Sequence, residues 1–133
     1  MNKKRVDEWL LRAKDAIVKV GIPNKNGKVD IPNENGKVDK NYRGQIASFG
    51  ASVVMGSFKS AVAFFSSKGE CKVDRPKLIQ AAYYVITDGV VKDPKEIFEE
   101  ICRLNGAELK KMKDDFIDAS VAVKLALNFF DLE

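Results

Sequence analysis

Apolar residues recur at intervals of three and four over most of this 133-residue chain, the spacing of helices that bury one face. The first such run extends from Val6 to Val20, with Asn2 placed to cap its start and Gly21 placed to end it. No convincing alternation of apolar and polar residues occurs outside residues 22–39. The pattern therefore predicts an all-α fold, a single domain of five to six antiparallel helices packed around one core.

Five further apolar runs follow the first, and each begins or ends near residues that cap, open or break helices. They extend from about Lys40 to Met55, Phe58 to Gly69, Asp74 to Gly89, Asp93 to Asn105 and Ala107 to Phe130. In the third helix, the pair Phe64-Phe65 is interpreted as part of the core and not as a platform on which nucleic-acid bases stack.

Residues 22–39 contain nearly the same nine residues twice, IPNKNGKVD and then IPNENGKVD, with Lys25 in the first copy and Glu34 in the second. The Asn-x-Asn-Gly core resembles the middle of a calcium loop, but both copies lack acids at the first and twelfth positions of such a loop. The Asn-Gly pairs are typical of small hairpins, with Val29 to Ile31 as a shared middle strand, although the prolines limit any sheet. We interpret the segment as a duplicated insert in the loop after the first helix, a spacer that could lose one copy with little effect on folding.

The chain contains no histidine and two cysteines. The absence of histidine excludes Ser-His-Asp and Cys-His catalysis and removes the commonest transition-metal ligand. Cys71 and Cys102 are too few and too far apart to indicate a zinc motif or a disulfide framework, and Cys102 is expected to be a small core residue. Because Asp7, Glu8 and Arg12 interrupt the apolar region that would have to follow the basic start of a signal peptide, none is predicted, and we expect a cytoplasmic protein.

Carboxylates at helical spacing are the remaining candidates for catalysis or metal binding. Two groups have this spacing, namely Glu96, Glu99 and Glu100, and Asp114, Asp115 and Asp118. Di-metal helix bundles use such pairs, but they add Glu-x-x-His motifs that this chain lacks. Both groups fall on the predicted polar faces of their helices, so we interpret them as solvated surface. We therefore expect no catalytic residue, no metal site and no cofactor.

The net charge of +4 is unevenly distributed along the chain. Residues 1–45 contain eleven basic and six acidic residues, residues 46–77 five and two, and residues 78–133 seven and eleven. A basic front indicates a polyanionic partner and an acidic back a basic neighbour. The basic first turn at residues 3–5 opposes the helix dipole, which indicates either a frayed end or a phosphate contact. The candidate RNA-binding residues are Lys3, Lys4, Arg5, Arg12, Lys40, Arg43, Lys59, Lys68, Lys72, Arg75 and Lys77.

The stretch from Asn41 to Gly69, NYRGQIASFGASVVMGSFKSAVAFFSSKG, resembles the small all-helical subunit of the type III-B (Cmr-type) CRISPR RNA-guided effector complex. The likeness lies in order and spacing: a first amphipathic helix, a loop of variable length, a tyrosine at the entry to the second helix, a glycine-marked break, and an aliphatic and aromatic helix ending in Ser-Lys. The matching positions are Tyr42, Ile46, Phe58, Ala63, Phe64, Ser67 and Lys68. The last predicted helix also resembles the closing helix of that family.

The resemblance implies a non-catalytic subunit, present in several copies, that stacks into a filament and lines the groove where guide RNA pairs with target RNA in antiviral defence. The implied partners are the other effector subunits, guide and target RNA, and further copies of the chain, with no membrane. The alternative hypothesis is a stand-alone helical adaptor or regulator that binds proteins and whose basic front is merely solvated. A third hypothesis, a small enzyme that uses carboxylates, has little in the sequence to support it.

Overall fold

Six α-helices and one short pair of strands account for most of the chain. A computed structural model describes residues 1–31, 36–67, 69 and 73–133. Within these ranges the elements are α1 (Lys3–Val20), β1 (Lys37–Val38), α2 (Asn41–Met55), α3 (Phe58–Phe65), α4 (Arg75–Thr87), α5 (Pro94–Cys102), α6 (Gly106–Ala126), a turn of 3-10 helix (Leu127–Phe129) and β2 (Asp131–Leu132). The two strands pair in parallel. The predicted all-α class is confirmed, while the antiparallel packing of neighbouring helices stays a prediction.

The helices begin and end largely at the positions that the capping residues in the sequence predicted. The side chains of Asn2, Ser57 and Asp93 each accept a backbone N–H from the first turn of α1, α3 and α5, respectively. Gly21 ends α1 in the left-handed conformation, with φ of 73°. The third helix is shorter than predicted and ends at Phe65. None of the helices in the described ranges is long and apolar enough to cross a membrane.

The core is centred on α6, which packs against α1, α2 and α4. Phe116 of α6 lies in an aromatic cluster, with ring centroids 6.1 Å from Phe49 and 5.4 Å from Phe58. Phe65 extends this cluster, 5.2 Å from Phe49. Its neighbour Phe64 is 59% exposed, so the prediction that both rings belong to the core is confirmed for Phe65 and wrong for Phe64.

Arg5 joins α1 to α6 through a largely buried cluster of ion pairs. Its guanidinium donates to Asp118 Oδ2 at 2.9 and 2.5 Å and to Asp115 Oδ1 at 2.7 Å. The backbone N–H of Asn2 also donates to Asp118, at 3.2 Å, and the guanidinium lies 4.6 Å from the ring centroid of Trp9. Burial lowers the pKa of Arg5, but the hydrogen bonds and charges of the two aspartates outweigh burial and raise it. The cluster thus keeps the positive charge of Arg5 between two carboxylates.

This cluster overturns one expectation and resolves another. Asp115 and Asp118 are 5% and 3% exposed, so the prediction that they lie on a solvated polar face is wrong. Within the basic first turn of α1, the charge of Arg5 is neutralised by these two acids, which lie more than one hundred residues away in the sequence. Lys3 and Lys4 of the same turn are exposed. Cys102 is exposed at the end of α5, so its predicted core position is also wrong.

The duplicated segment is anchored to the core. Ile22, Ile31 and Val38 are 0%, 6% and 0% exposed. The N–H of Asp39 donates to the carbonyl of Pro23 at 3.0 Å, so the two ends of the insert meet. The prediction that the segment is a spacer without core contacts is therefore wrong.

The first copy forms a closed turn built on Asn24. The N–H of Asn24 donates to the carbonyl of Lys28 at 2.7 Å, and its side-chain oxygen accepts the N–H groups of Asn26 and Lys28 at 3.0 and 3.1 Å. Gly27 closes this turn with φ of 78°, a conformation that favours glycine. The corresponding turn of the second copy lies largely outside the described residues, and β1 pairs with β2 instead of residues 29–31, so the predicted hairpin is not confirmed.

Replacing the equivalent valine in each copy tests whether the second copy packs on the core. Val38→Ala is expected to lower the free energy of unfolding by about 2 kcal/mol, because it removes buried methyl groups and leaves a cavity. Val29, its counterpart in the first copy, is 51% exposed, so Val29→Ala should change stability by less than about 0.5 kcal/mol. Urea unfolding monitored by circular dichroism measures both, and equal effects would show that the two copies are equally exposed.

The Arg5 cluster predicts a second stability difference. Arg5→Ala leaves the buried carboxylate of Asp118 without its cation and Asp115 with only Lys111, at 3.5 Å. The substitution should destabilise the protein by about 3 kcal/mol, at the low end for buried pairs because the Arg5 side chain is 29% exposed. Lys4→Ala, at the exposed neighbouring position, is the control and should cost less than about 0.5 kcal/mol. If both variants unfold at the same urea concentration, the cluster contributes nothing to stability.

Candidate nucleic-acid interface

Two of the predicted RNA-binding residues instead satisfy carbonyls at the C-terminal ends of other helices. Arg12 donates to the carbonyl of Val85 at 3.3 Å in the last turn of α4. Lys59 Nζ donates to the carbonyl of Cys102 at 3.0 Å, at the end of α5. The final carbonyls of a helix lack partners within it and carry partial negative charge, which explains why cations lie there.

Lys77 and Arg75, at the start of α4, also donate to backbone carbonyls at or just after the ends of other helices. Lys77 Nζ donates to the carbonyl of Gly21 at 2.6 Å, where α1 ends. Arg75 donates to the carbonyl of Ser67 at 3.2 and 2.8 Å, just after α3, and its guanidinium lies 4.2 Å from the ring centroid of Phe64. With Arg5, this gives five candidate cations whose side chains are bonded within the fold. Their proximity to helix ends, which suggested phosphate contacts, has a structural cause.

The remaining predicted candidates divide into two sets. Lys68 and Lys72 lie outside the described residues. Lys3 and Lys4 at the start of α1, and Lys40 and Arg43 at the start of α2, are exposed, and no hydrogen bond or ion pair of their side chains is found in the described ranges.

Lys40 and Arg43 line a groove of about 1020 Å³ together with Lys124 of α6. We call this the α2 groove; its other lining residues are Asn41, Gly44, Gln45, Ala47, Ser48, Val73 and Leu132. No acidic side chain is among the described residues that line the groove. Lys124 was not among the sequence candidates. The signal that could have indicated it is its position as a lone cation in the apolar last turns of α6.

Hydrogen bonds hold the start of α2, where the exposed side chains of Lys40 and Arg43 lie. The N–H of Lys40 donates to the carbonyl of Glu133 at 2.9 Å, and Asp39 Oδ1 accepts the N–H of Asn41 at 2.9 Å. Tyr42 is 1% exposed, and its hydroxyl accepts the N–H of Asp74 at 2.9 Å. The next residue, Arg43, is exposed on the surface of the helix.

Gly44 leaves the floor of the α2 groove open. A Cβ placed on this residue would have no neighbouring atom within 4 Å, so the packing of the fold does not require glycine there. A glycine within a helix is about 1 kcal/mol less favourable than alanine. The absent side chain allows a ligand to approach the backbone of α2.

Sequence reasoning missed two tyrosines that bond to carboxylates. Tyr84 donates to the carboxylate of Asp15, and this hydrogen bond, followed by burial, raises the pKa of Tyr84. Burial and a hydrogen bond with Glu100 raise the pKa of Tyr83, and Lys92 Nζ lies 3.7 Å from Glu100 Oε2. Both phenols therefore stay protonated at neutral pH, and these contacts fasten α4 to α1 and α5. In the described part of the chain, no group of three or more cysteine or carboxylate side chains is arranged to hold a metal ion.

No family model, curated protein or solved structure matches the chain. The resemblance of Asn41 to Gly69 to an effector subunit therefore stays an expectation from the sequence.

The open floor of the α2 groove predicts a stabilising substitution. Gly44→Ala should raise the free energy of unfolding by about 0.5–1 kcal/mol, because alanine favours the helix and the added methyl group meets no other atom. Gly27→Ala is the opposing control and should destabilise the protein, since Gly27 has a positive φ. Thermal unfolding compares the two, and a destabilising effect of Gly44→Ala would show that this position is closed.

Proposed function

We propose that the chain is a non-catalytic, RNA-binding subunit of a type III-B CRISPR RNA-guided effector complex, and that the α2 groove holds the backbone of guide or target RNA. The observation that carries the RNA contact is the convergence of Lys40, Arg43 and Lys124 in one groove, where none of the described lining residues is acidic. The resemblance in order and spacing between Asn41 and Gly69 supports the complex. The cations of the α2 groove favour association with a polyanion through release of counterions.

The polar residues of the α2 groove suit contacts to phosphate and sugar. Lys40, Arg43 and Lys124 supply charged donors, and Gln45 and Ser48 can donate to phosphate oxygens or ribose hydroxyls. None of the described residues that line the groove is aromatic, so the proposal does not rely on base stacking. We therefore expect binding that depends on charge and shows little sequence preference, with sequence read by guide and target pairing.

We also propose how the subunit assembles and where the complex acts. Several copies stack beside the guide-bearing subunits, cleavage belongs to other subunits, and the complex acts in the cytoplasm. The alternative, a protein-binding adaptor, is favoured by one observation, an exposed apolar surface on α2 and α3. This alternative is a stand-alone adaptor or regulator with no RNA role, so a chain that does not bind RNA would favour it.

RNA binding is tested by reversing two charges of the α2 groove. Arg43→Glu combined with Lys124→Glu should weaken binding to a fluorescent oligouridine at least 10-fold, because two phosphate contacts become repulsive. The slope of log affinity against log salt should also fall by roughly 1.4, or about 0.7 for each lost contact to a single strand. Fluorescence anisotropy across a salt series measures both quantities.

The matched control reverses two exposed lysines elsewhere, Lys19→Glu with Lys95→Glu, and has the same net charge. If this control weakens RNA binding as much as the groove variant, the contact reads overall charge and the α2 groove is not the site. Purification of the tagged chain from its native host tests the assembly. Guide-length RNA and larger subunits are expected to co-purify, and a monomer free of RNA would contradict the proposal.

A further inference from the structure

Asparagine is followed by glycine at three places in the chain, Asn26-Gly27, Asn35-Gly36 and Asn105-Gly106. Such pairs lose ammonia spontaneously more readily than other asparagine pairs, because glycine has no Cβ to shield its backbone nitrogen from the asparagine side chain. Asn35 lies outside the described residues. The other two pairs are both exposed, and they differ in how their reacting groups are bonded.

Both reacting groups of the pair at the start of α6 are unengaged. Asn105 occupies the N-cap position, but its side chain accepts no backbone N–H from the helix, and no other hydrogen bond of this side chain is found in the described ranges. The N–H of Gly106 is one of the first four of α6, which have no acceptor within a helix. No acceptor elsewhere in the described part of the chain bonds to it.

The first turn of α6 is weakly held around this pair. The carbonyl of Asn105 accepts the N–H of Leu109 at 3.4 Å, which is long against the usual distance of about 2.9–3.0 Å. Asn105 is extended, with ψ of 161°, so its Cα–C bond must rotate before the nitrogen of Gly106 reaches the side-chain carbon. A Cβ placed on Gly106 would have no neighbouring atom within 4 Å, so the surroundings leave room for this rotation.

The pair in the duplicated segment has the same two residues in a bonded turn. The N–H of Gly27 donates to the carbonyl of Asn24 at 3.0 Å, and the N–H of Asn26 donates to the side chain of Asn24 at 3.0 Å. The nitrogen of Gly27 must lose its proton before it can attack, and the hydrogen bond to Asn24 opposes that loss. Asn26 is therefore a matched comparison for Asn105.

We propose that Asn105 is a site of spontaneous deamidation and that, among the described asparagines, it reacts first. A solvent base takes the proton of the Gly106 N–H, and the nitrogen forms a bond with Cγ of Asn105. The side-chain NH₂ group takes a proton from water and leaves as ammonia, which closes a five-membered succinimide. Water then opens the ring at either carbonyl carbon, giving aspartate or isoaspartate at this position. The inference does not depend on RNA binding in the α2 groove.

The two products have different effects on α6. Aspartate caps a helix as well as asparagine does, and its negative charge faces the positive end of the helix dipole. Isoaspartate adds one carbon to the backbone between α5 and α6. The reaction therefore adds a negative charge in both cases, and it changes the path of the chain into α6 in only one.

The test incubates the wild-type chain in mildly alkaline buffer below its unfolding temperature and follows each asparagine by peptide mass spectrometry. Asn105 should convert at least about 10-fold faster than Asn128, which is also exposed but is followed by the bulky Phe129. Asn105 should also convert faster than Asn26. Equal rates at Asn105 and Asn128, or faster conversion at Asn26 than at Asn105, would overturn the inference.

The same measurement in guanidinium chloride separates the fold from the local sequence. Unfolding removes the hydrogen bond of Gly27 and the first turn of α6, so Asn26 and Asn105 should then convert at similar rates. If Asn105 keeps its full lead over Asn26 in the unfolded chain, the local sequence sets the order of reaction, and the role given to the fold is wrong.

Two substitutions at the site complete the test. Asn105→Gln should lose the acidic species that ion-exchange chromatography resolves for this position, because glutamine would have to close a slower six-membered ring. Asn105→Asp, which has the charge of the product, should melt at no lower temperature than the wild-type chain. Circular dichroism checks that both variants are folded. Undiminished formation of acidic species in Asn105→Gln would assign the reaction to another residue and reject the proposal.

Discussion

The carbonyls at the C-terminal ends of helices need hydrogen-bond donors, and this fold supplies them from neighbouring helices. Arg12 of α1 reaches the end of α4, Lys59 of α3 reaches the end of α5, and Lys77 of α4 reaches the end of α1. Each contact joins a basic side chain to the negative end of a helix dipole. Because every one of these bonds links two helices, the order in which the helices pack and the termination of each helix are set together.

These hydrogen bonds reduce the number of cations that are available to a polyanionic partner. A count of lysines and arginines treats every cation in the basic front as available to a polyanion. In the structure, Arg5 is held between two aspartates, and four others bind carbonyls. The groove that we propose for RNA is consequently defined by few residues, and its location depends on which cations the fold leaves unengaged. Cations that stabilise the fold and cations that we propose to contact RNA are therefore interspersed along the sequence.

Local features of the chain were predictable from sequence because their causes lie within a few residues. Asn2, Ser57 and Asp93 cap helices through bonds to residues two or three positions away. The errors concern contacts across the fold. Asp118 is buried because Arg5, 113 positions away, neutralises it.

The candidate nucleic-acid interface was also not predictable from local features of the sequence. Arg43 and Lys124 come from different helices, and helical periodicity does not say which helices become neighbours. Phe64 and Phe65 are adjacent in sequence and differ in exposure, because Phe65 packs on the ring of Phe49 in α2 whereas Phe64 lies at the edge of the buried face. Periodicity identifies a buried face, but the width of that face, and so the fate of residues at its edge, depends on the neighbouring element.

The nine-residue duplication places the same motif in two unequal settings. Deleting either copy yields the same shortened chain except for the choice between Lys25 and Glu34. One isoleucine would then have to serve where Ile22 and Ile31 are now both buried. The copies make different contacts: the first closes a turn on Asn24, and the second pairs Lys37 and Val38 with β2. One substitution made at the equivalent position of each copy therefore has two different consequences, as the exposed Val29 and the buried Val38 illustrate.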